Sequence, residues 1–130
     1  MKKLITLAVA LLIALTSFCQ KTYVAKQTEI YKWNTKKNEW QFSSSNKNVE
    51  IPIYIYKRFI HIHAKDHAYF LLEEESEDIS GNTFQGLSYN AYEFVTESKC
   101  EIHIVESKIG ESMISIVWFS EGINLRYFFK

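Results

Sequence analysis

Cys100-Glu101-Ile102-His103-Ile104-Val105-Glu106, Ser112-Met113-Ile114-Ser115-Ile116-Val117-Trp118 and Ile123-Asn124-Leu125-Arg126-Tyr127-Phe128-Phe129 are the runs whose reading decides the fold. Apolar side chains recur at every second position. Cys100, Ile102 and Ile104 share a face, as do Ile114, Ile116 and Trp118, and as do Ile123, Leu125, Tyr127 and Phe129. A repeat of two is that of a β-strand with one buried side. With Leu87 to Thr96 before them, the runs are separated by Glu97-Ser98-Lys99, by Ser107 to Glu111 and by Glu121-Gly122. Links this short force each strand to lie antiparallel beside the one before it.

The same pattern extends towards the N-terminus. Thr28 to Trp33 and Glu39 to Ser43 flank the polar loop Asn34 to Asn38, which predicts a hairpin with Trp33 and Trp40 facing each other near its end. Val49 to Tyr56 places Val49, Ile51, Ile53 and Ile55 on one side. Pro52 has no N–H to give to a ladder, so this strand is expected at a sheet edge or at a bulge. Beyond Lys57-Arg58 the apolar phase moves to Ile60, Ile62 and Ala64, as a tight turn would cause. His67 to Glu73 follows as a strand, although Ala68 to Glu77 has enough helix propensity to compete, and the acidic run Glu73 to Asp78 reads as a solvated turn. The expected fold is all-β, a single antiparallel meander of about eight or nine strands in a curled sheet or small barrel, with a β-sandwich as the alternative. The absence of a long crossover favours the meander.

Residues 1–19 stand apart. Lys2 and Lys3 precede the apolar run Leu4 to Leu15, and Thr16 to Gln20 turns polar, which is the layout of a secretory signal peptide. The run falls short of the ~20 residues a membrane span needs. Cleavage after Cys19 would leave a single β domain from Gln20 to Lys130, exported to the periplasm or the medium. Cys19 also permits a lipid anchor, but the bulky Phe18 before it departs from the usual small residue. Cys100 would then be the one remaining thiol, so no internal disulfide is available, and its alternating neighbours make it a buried, unreactive side chain.

Charge and motifs exclude more than they select. Fifteen basic residues balance fifteen acidic ones, which leaves no field to draw in nucleic acid. No nucleophile elbow, phosphate-cradling glycine loop or His-Glu-x-x-His is present, so no catalytic residue is assigned and the protein is read as non-enzymatic.

Two constellations are candidates for binding. His61 and His63, two apart on a strand, put both imidazoles on one face about 6.6 Å apart, within reach of one metal ion. His67 follows in the next turn, and His103 could join if its strand lay nearby. Imidazoles suit zinc or copper. A plainer reading has these histidines lining the solvent side of a strand whose Ile60 and Ile62 are buried.

The second constellation is aromatic. At 15% of the chain, Phe, Trp and Tyr exceed what a small core easily uses. Tyr54, Tyr56, Trp33 and Trp40 alternate with core positions and could form a surface for a protein partner or a small apolar ligand. The function expected first is an exported binding module using these aromatics, with a histidine-based zinc or copper protein as the alternative. An edge strand at Val49 to Tyr56 would also offer a route to a homodimer. Small periplasmic β-barrel inhibitors and lipocalin-like binders are similar in size and architecture, a likeness of fold alone, since none of their motifs is present.

Overall fold

The computed structural model describes residues 21–129, without the side chains of residues 74 and 75. The expected leader, the expected cut before Gln20 and the alternative of a lipid anchor at Cys19 all fall on residues outside the described ones. Ten strands form: β1 (Lys21–Ala25), β2 (Gln27–Asn34), β3 (Glu39–Asn46), β4 (Ile51–Ile55), β5 (Phe59–Ile62), β6 (Ala68–Asp78), β7 (Phe84–Glu93), β8 (Ser98–Ser107), β9 (Ser112–Trp118) and β10 (Ile123–Phe129). All pairings are antiparallel, and the sheet, in the order β1-β4-β5-β6-β7-β8-β9-β10-β2-β3, curls into a half-barrel. No helix forms among the described residues, so Ala68 to Glu77 is strand, and the acidic run continues β6 instead of turning. Among the described residues no helix is long and apolar enough to cross a membrane, a statement that leaves β-barrel spans aside.

From β4 to β10 the chain is the expected meander. The N-terminal segment breaks chain order, because β1 pairs with β4 while β2, one residue further on, pairs with β10. The chain bends at Lys26, whose N–H donates to the carbonyl of Phe128 at 2.9 Å. One continuous stretch thus bridges the first and last strands of the meander. Tyr23 seals the junction by stacking on Phe129, ring centroids 4.1 Å apart.

This closure corrects the expectation for Val49 to Tyr56. The strand is interior, with β1 on one side and β5 on the other, so it offers no free edge for a homodimer. Pro52 faces Val24 of β1, and its carbonyl accepts a hydrogen bond from the His63 N–H at 2.9 Å. The outermost strands are β1, laddered only with β4, and β3, laddered only with β2, among the described residues.

The core fills the concave side. Ile53, Ile60, Ile62, Ile102, Ile114 and Ile116 are all 0% exposed, and Phe70, Leu72, Tyr127 and Phe129 close around them. Each such aliphatic side chain contributes about 1.5–3 kcal/mol by leaving water. Trp118 packs against this cluster, as its alternation with Ile114 and Ile116 implied. Phe59 and Phe94 are buried apart from it, with Tyr56, Tyr69, Leu71 and Tyr92 packed against them. Since Phe59 precedes the inward Ile60, this second cluster lies on the outer face of β4 to β7.

Candidate metal centre

The site begins with alternation in β5. Ile60 and Ile62 are fully buried in the core, so His61 between them points outward. Tyr54 of β4 is likewise outward between Ile53 and Ile55. Register then decides what meets: Tyr54 pairs with His61, and His61 with Tyr69 of β6. The His61 ring is nearly parallel to that of Tyr69, 7° apart with centroids at 4.6 Å, and stacks on Tyr54 at 5.8 Å. The two tyrosines hold one imidazole in place.

Residues 63–67 form the loop between β5 and β6, whose ends are fixed by the Ile62–Ala68 pair. The His63 N–H bonded to Pro52 anchors the start of the loop beside β4. Its two histidines stand at the two ends, beside each other, with ring centroids 4.3 Å apart. His61 Nε2 lies 2.9 Å from His67 Nδ1. One ring nitrogen from each of His61, His63 and His67 falls within a set no more than 4.8 Å across. Ligand nitrogens on a tetrahedral zinc at 2.0–2.1 Å stand about 3.4 Å apart, so movement on the order of an ångström in the exposed rings of His63 and His67 suffices to close the set.

The electrostatics suit a cation ligand shell. His61 is half-buried, and burial is the larger reason its pKa lies below the ordinary 6.5; positive charge on His67 and His63 would lower it further. Three imidazoles this close cannot all be protonated without repulsion. A neutral imidazole is also the form that binds metal. Asp66 shares the loop but is not among the grouped ligands.

His103 does not join them. It lies on β8, three strands from β5, and its Nε2 contacts Glu101 Oε1 at 2.7 Å. Glu101 also accepts a hydrogen bond from Ser88 Oγ at 2.9 Å, and its pKa is lowered chiefly by His103. The carboxylate thus stands between the Ser88 hydroxyl and the His103 imidazole.

The four aromatics singled out from the sequence do not form one surface. Tyr54 and Tyr56 flank the histidines and the outer cluster, whereas Trp33 and Trp40 pair edge-to-face at 5.3 Å near the loop end of the β2–β3 hairpin. That end is tied to the β9–β10 turn through the Trp33 N–H and the Gly122 carbonyl, at the opposite end of the N-terminal strand from Tyr54. Tyr54 and Tyr56 line neither the cleft of about 420 Å³ beside Leu72 and Tyr92 nor the shallower one beside Trp33 and Phe42. Tyr69 is the neighbour that the sequence reading passed over. Folding the chain about residues 63–67 would have placed it opposite His61.

Comparison of the chain with protein families, with curated proteins and with solved structures finds no match. The chemistry of the side chains is therefore the guide to function.

Proposed function

We propose that the protein is an exported binding protein whose ligand is a zinc or copper ion held by His61, His63 and His67. The observation that carries this reading is the gathering of three ring nitrogens within 4.8 Å on one hairpin. Among the described residues no carboxylate joins the three imidazoles; once protonated they repel one another, and a divalent ion relieves that by displacing the protons and taking the freed lone pairs. Their softness selects zinc or copper over calcium or magnesium, which prefer oxygen. Export follows from the leader, whose positive start, apolar run and polar end precede the β domain.

Calorimetric titration of untagged protein with Zn²⁺ and Cu²⁺ tests the assignment. One ion per chain should bind, and His63→Ala with His67→Ala should weaken binding at least a hundredfold. Absence of saturable binding in the unaltered protein, or equal binding by the double variant, overturns it.

A second reading rests on β3, where Phe42 is 57% exposed and Trp33 is 38% exposed beside it on β2. An apolar strip on an outermost strand suits an added peptide strand. Cross-linking in the native compartment, lost on Phe42→Ser, would support it.

A further inference from the structure

The metal reading leaves open whether the three imidazoles form a closed structural site or an exchanging one. Building on that reading, we infer that an ion bound by His61, His63 and His67 keeps one coordination position open to solvent, where a small monodentate anion exchanges with water.

The ligand count comes first. Among the described residues the group holds three histidines and no cysteine or carboxylate, whereas a closed tetrahedral site needs four donors. Placement comes second. His61 is stacked between Tyr54 and Tyr69 on the outer face of the sheet, and His63 and His67 are both exposed. An ion held by these rings sits on the solvent side of the hairpin, so water supplies the missing donor.

Charge comes third. Three neutral imidazoles leave a divalent ion with its full double positive charge. The two charged residues of the loop, Lys65 and Asp66, are of opposite sign and offset each other. An anion at the open position neutralises part of that charge, as a thiolate or carboxylate does in other donor sets. A position of this kind is also what metal-assisted chemistry requires and closed structural sites lack.

Cobalt(II) in place of zinc provides the readout, because its visible absorption responds to the number and type of donors. Untagged protein loaded with one equivalent of cobalt should show bands that shift saturably on titration with sodium azide, with one azide per cobalt. The Asp66→Asn variant should respond identically. If cobalt bands form but azide leaves them unchanged, or if azide acts only after Asp66→Asn, the open position is refuted while the metal site stands. If copper alone binds, the same azide titration is followed on the copper bands with the same two outcomes, and if none of cobalt, zinc and copper binds, the metal reading itself fails and this inference with it.

Discussion

Gly122 shows how much a single residue carries. In the turn between β9 and β10 its φ is +65°, and a Cβ there would stand 3.2 Å from the Cβ of Trp33. Glycine alone takes that backbone without cost, and its carbonyl also holds the Trp33 N–H at 2.9 Å. Gly122→Ala is expected to lower stability by about 1–2 kcal/mol, seen as a lower urea midpoint with an unchanged slope. Cys100 is the other telling residue. At 7% exposure, burial first and the nearby Glu93 second push its thiol up to about 12. Native protein beginning at Gln20, and so lacking Cys19, should leave Ellman's reagent unreacted at pH 8 and consume one equivalent once unfolded. Rapid reaction of the native thiol would contradict that burial. Alternation with Ile102 and Ile104 made its inward position legible, whereas the contribution of Glu93 depends on a neighbouring strand.

Within one hairpin, neighbouring positions do opposite work. Ile60→Ala removes a fully buried side chain and should cost 2–5 kcal/mol, roughly the range for large-to-small core changes. His63→Ala, on an exposed position of the same hairpin, should change metal-free stability by no more than about 0.5 kcal/mol. The same variant should nonetheless lose the zinc-induced rise in melting temperature. Thermal scans of the two variants, each with and without zinc, check the contrast. A large metal-free loss in His63→Ala would mean that its ring is part of the packing.

Element boundaries were less legible than element faces. The turn expected at Glu97-Ser98-Lys99 lies at residues 94–97, where Glu93 accepts hydrogen bonds from the Val95 and Thr96 N–H groups and from the Thr96 hydroxyl. Positive φ at Glu97 completes that turn. A carboxylate satisfying three donors is a local tertiary arrangement, and alternation is blind to it. The acidic run is similar. Solvated charges suit a turn or an exposed strand equally, and only the pairing of Ser76, Glu77 and Asp78 with β7 decided for strand.

For the molecule as a whole, pH and metal act through the same imidazoles. His61 has a folded pKa below 6.5, so the unfolded chain takes up its proton more readily as the pH falls past that value. Its contribution to metal-free stability is therefore complete above about 6.5 and declines as the pH drops through its unfolded and then its folded pKa. Glu101 and Glu106 have lowered pKa values, chiefly through His103 and Lys21. Their contributions persist above the ordinary 4.5 and decline below it. Urea unfolding of the metal-free protein should thus show a first loss of stability between pH 7 and 5. Zinc at a hundredfold excess over its dissociation constant should add about 2.7 kcal/mol at pH 7 and much less at pH 5, where protons compete for the ring nitrogens. Stabilisation that did not vary with pH would point to donors other than histidine.

The sequence by itself determined that the described domain is all-β, which side chains face the core, and that His61 and His63 share an outer face. These are local properties, since a repeat of two and short polar links act between near neighbours. Tertiary structure alone decided that the N-terminal strand bends at Lys26 to bridge β4 and β10, that Val49 to Tyr56 is interior, that His67 joins the pair and that His103 does not. Each of these depends on which distant strands pair and in what register. Register is set by the fit of whole faces against one another, a sum over the sheet that no single stretch of residues contains.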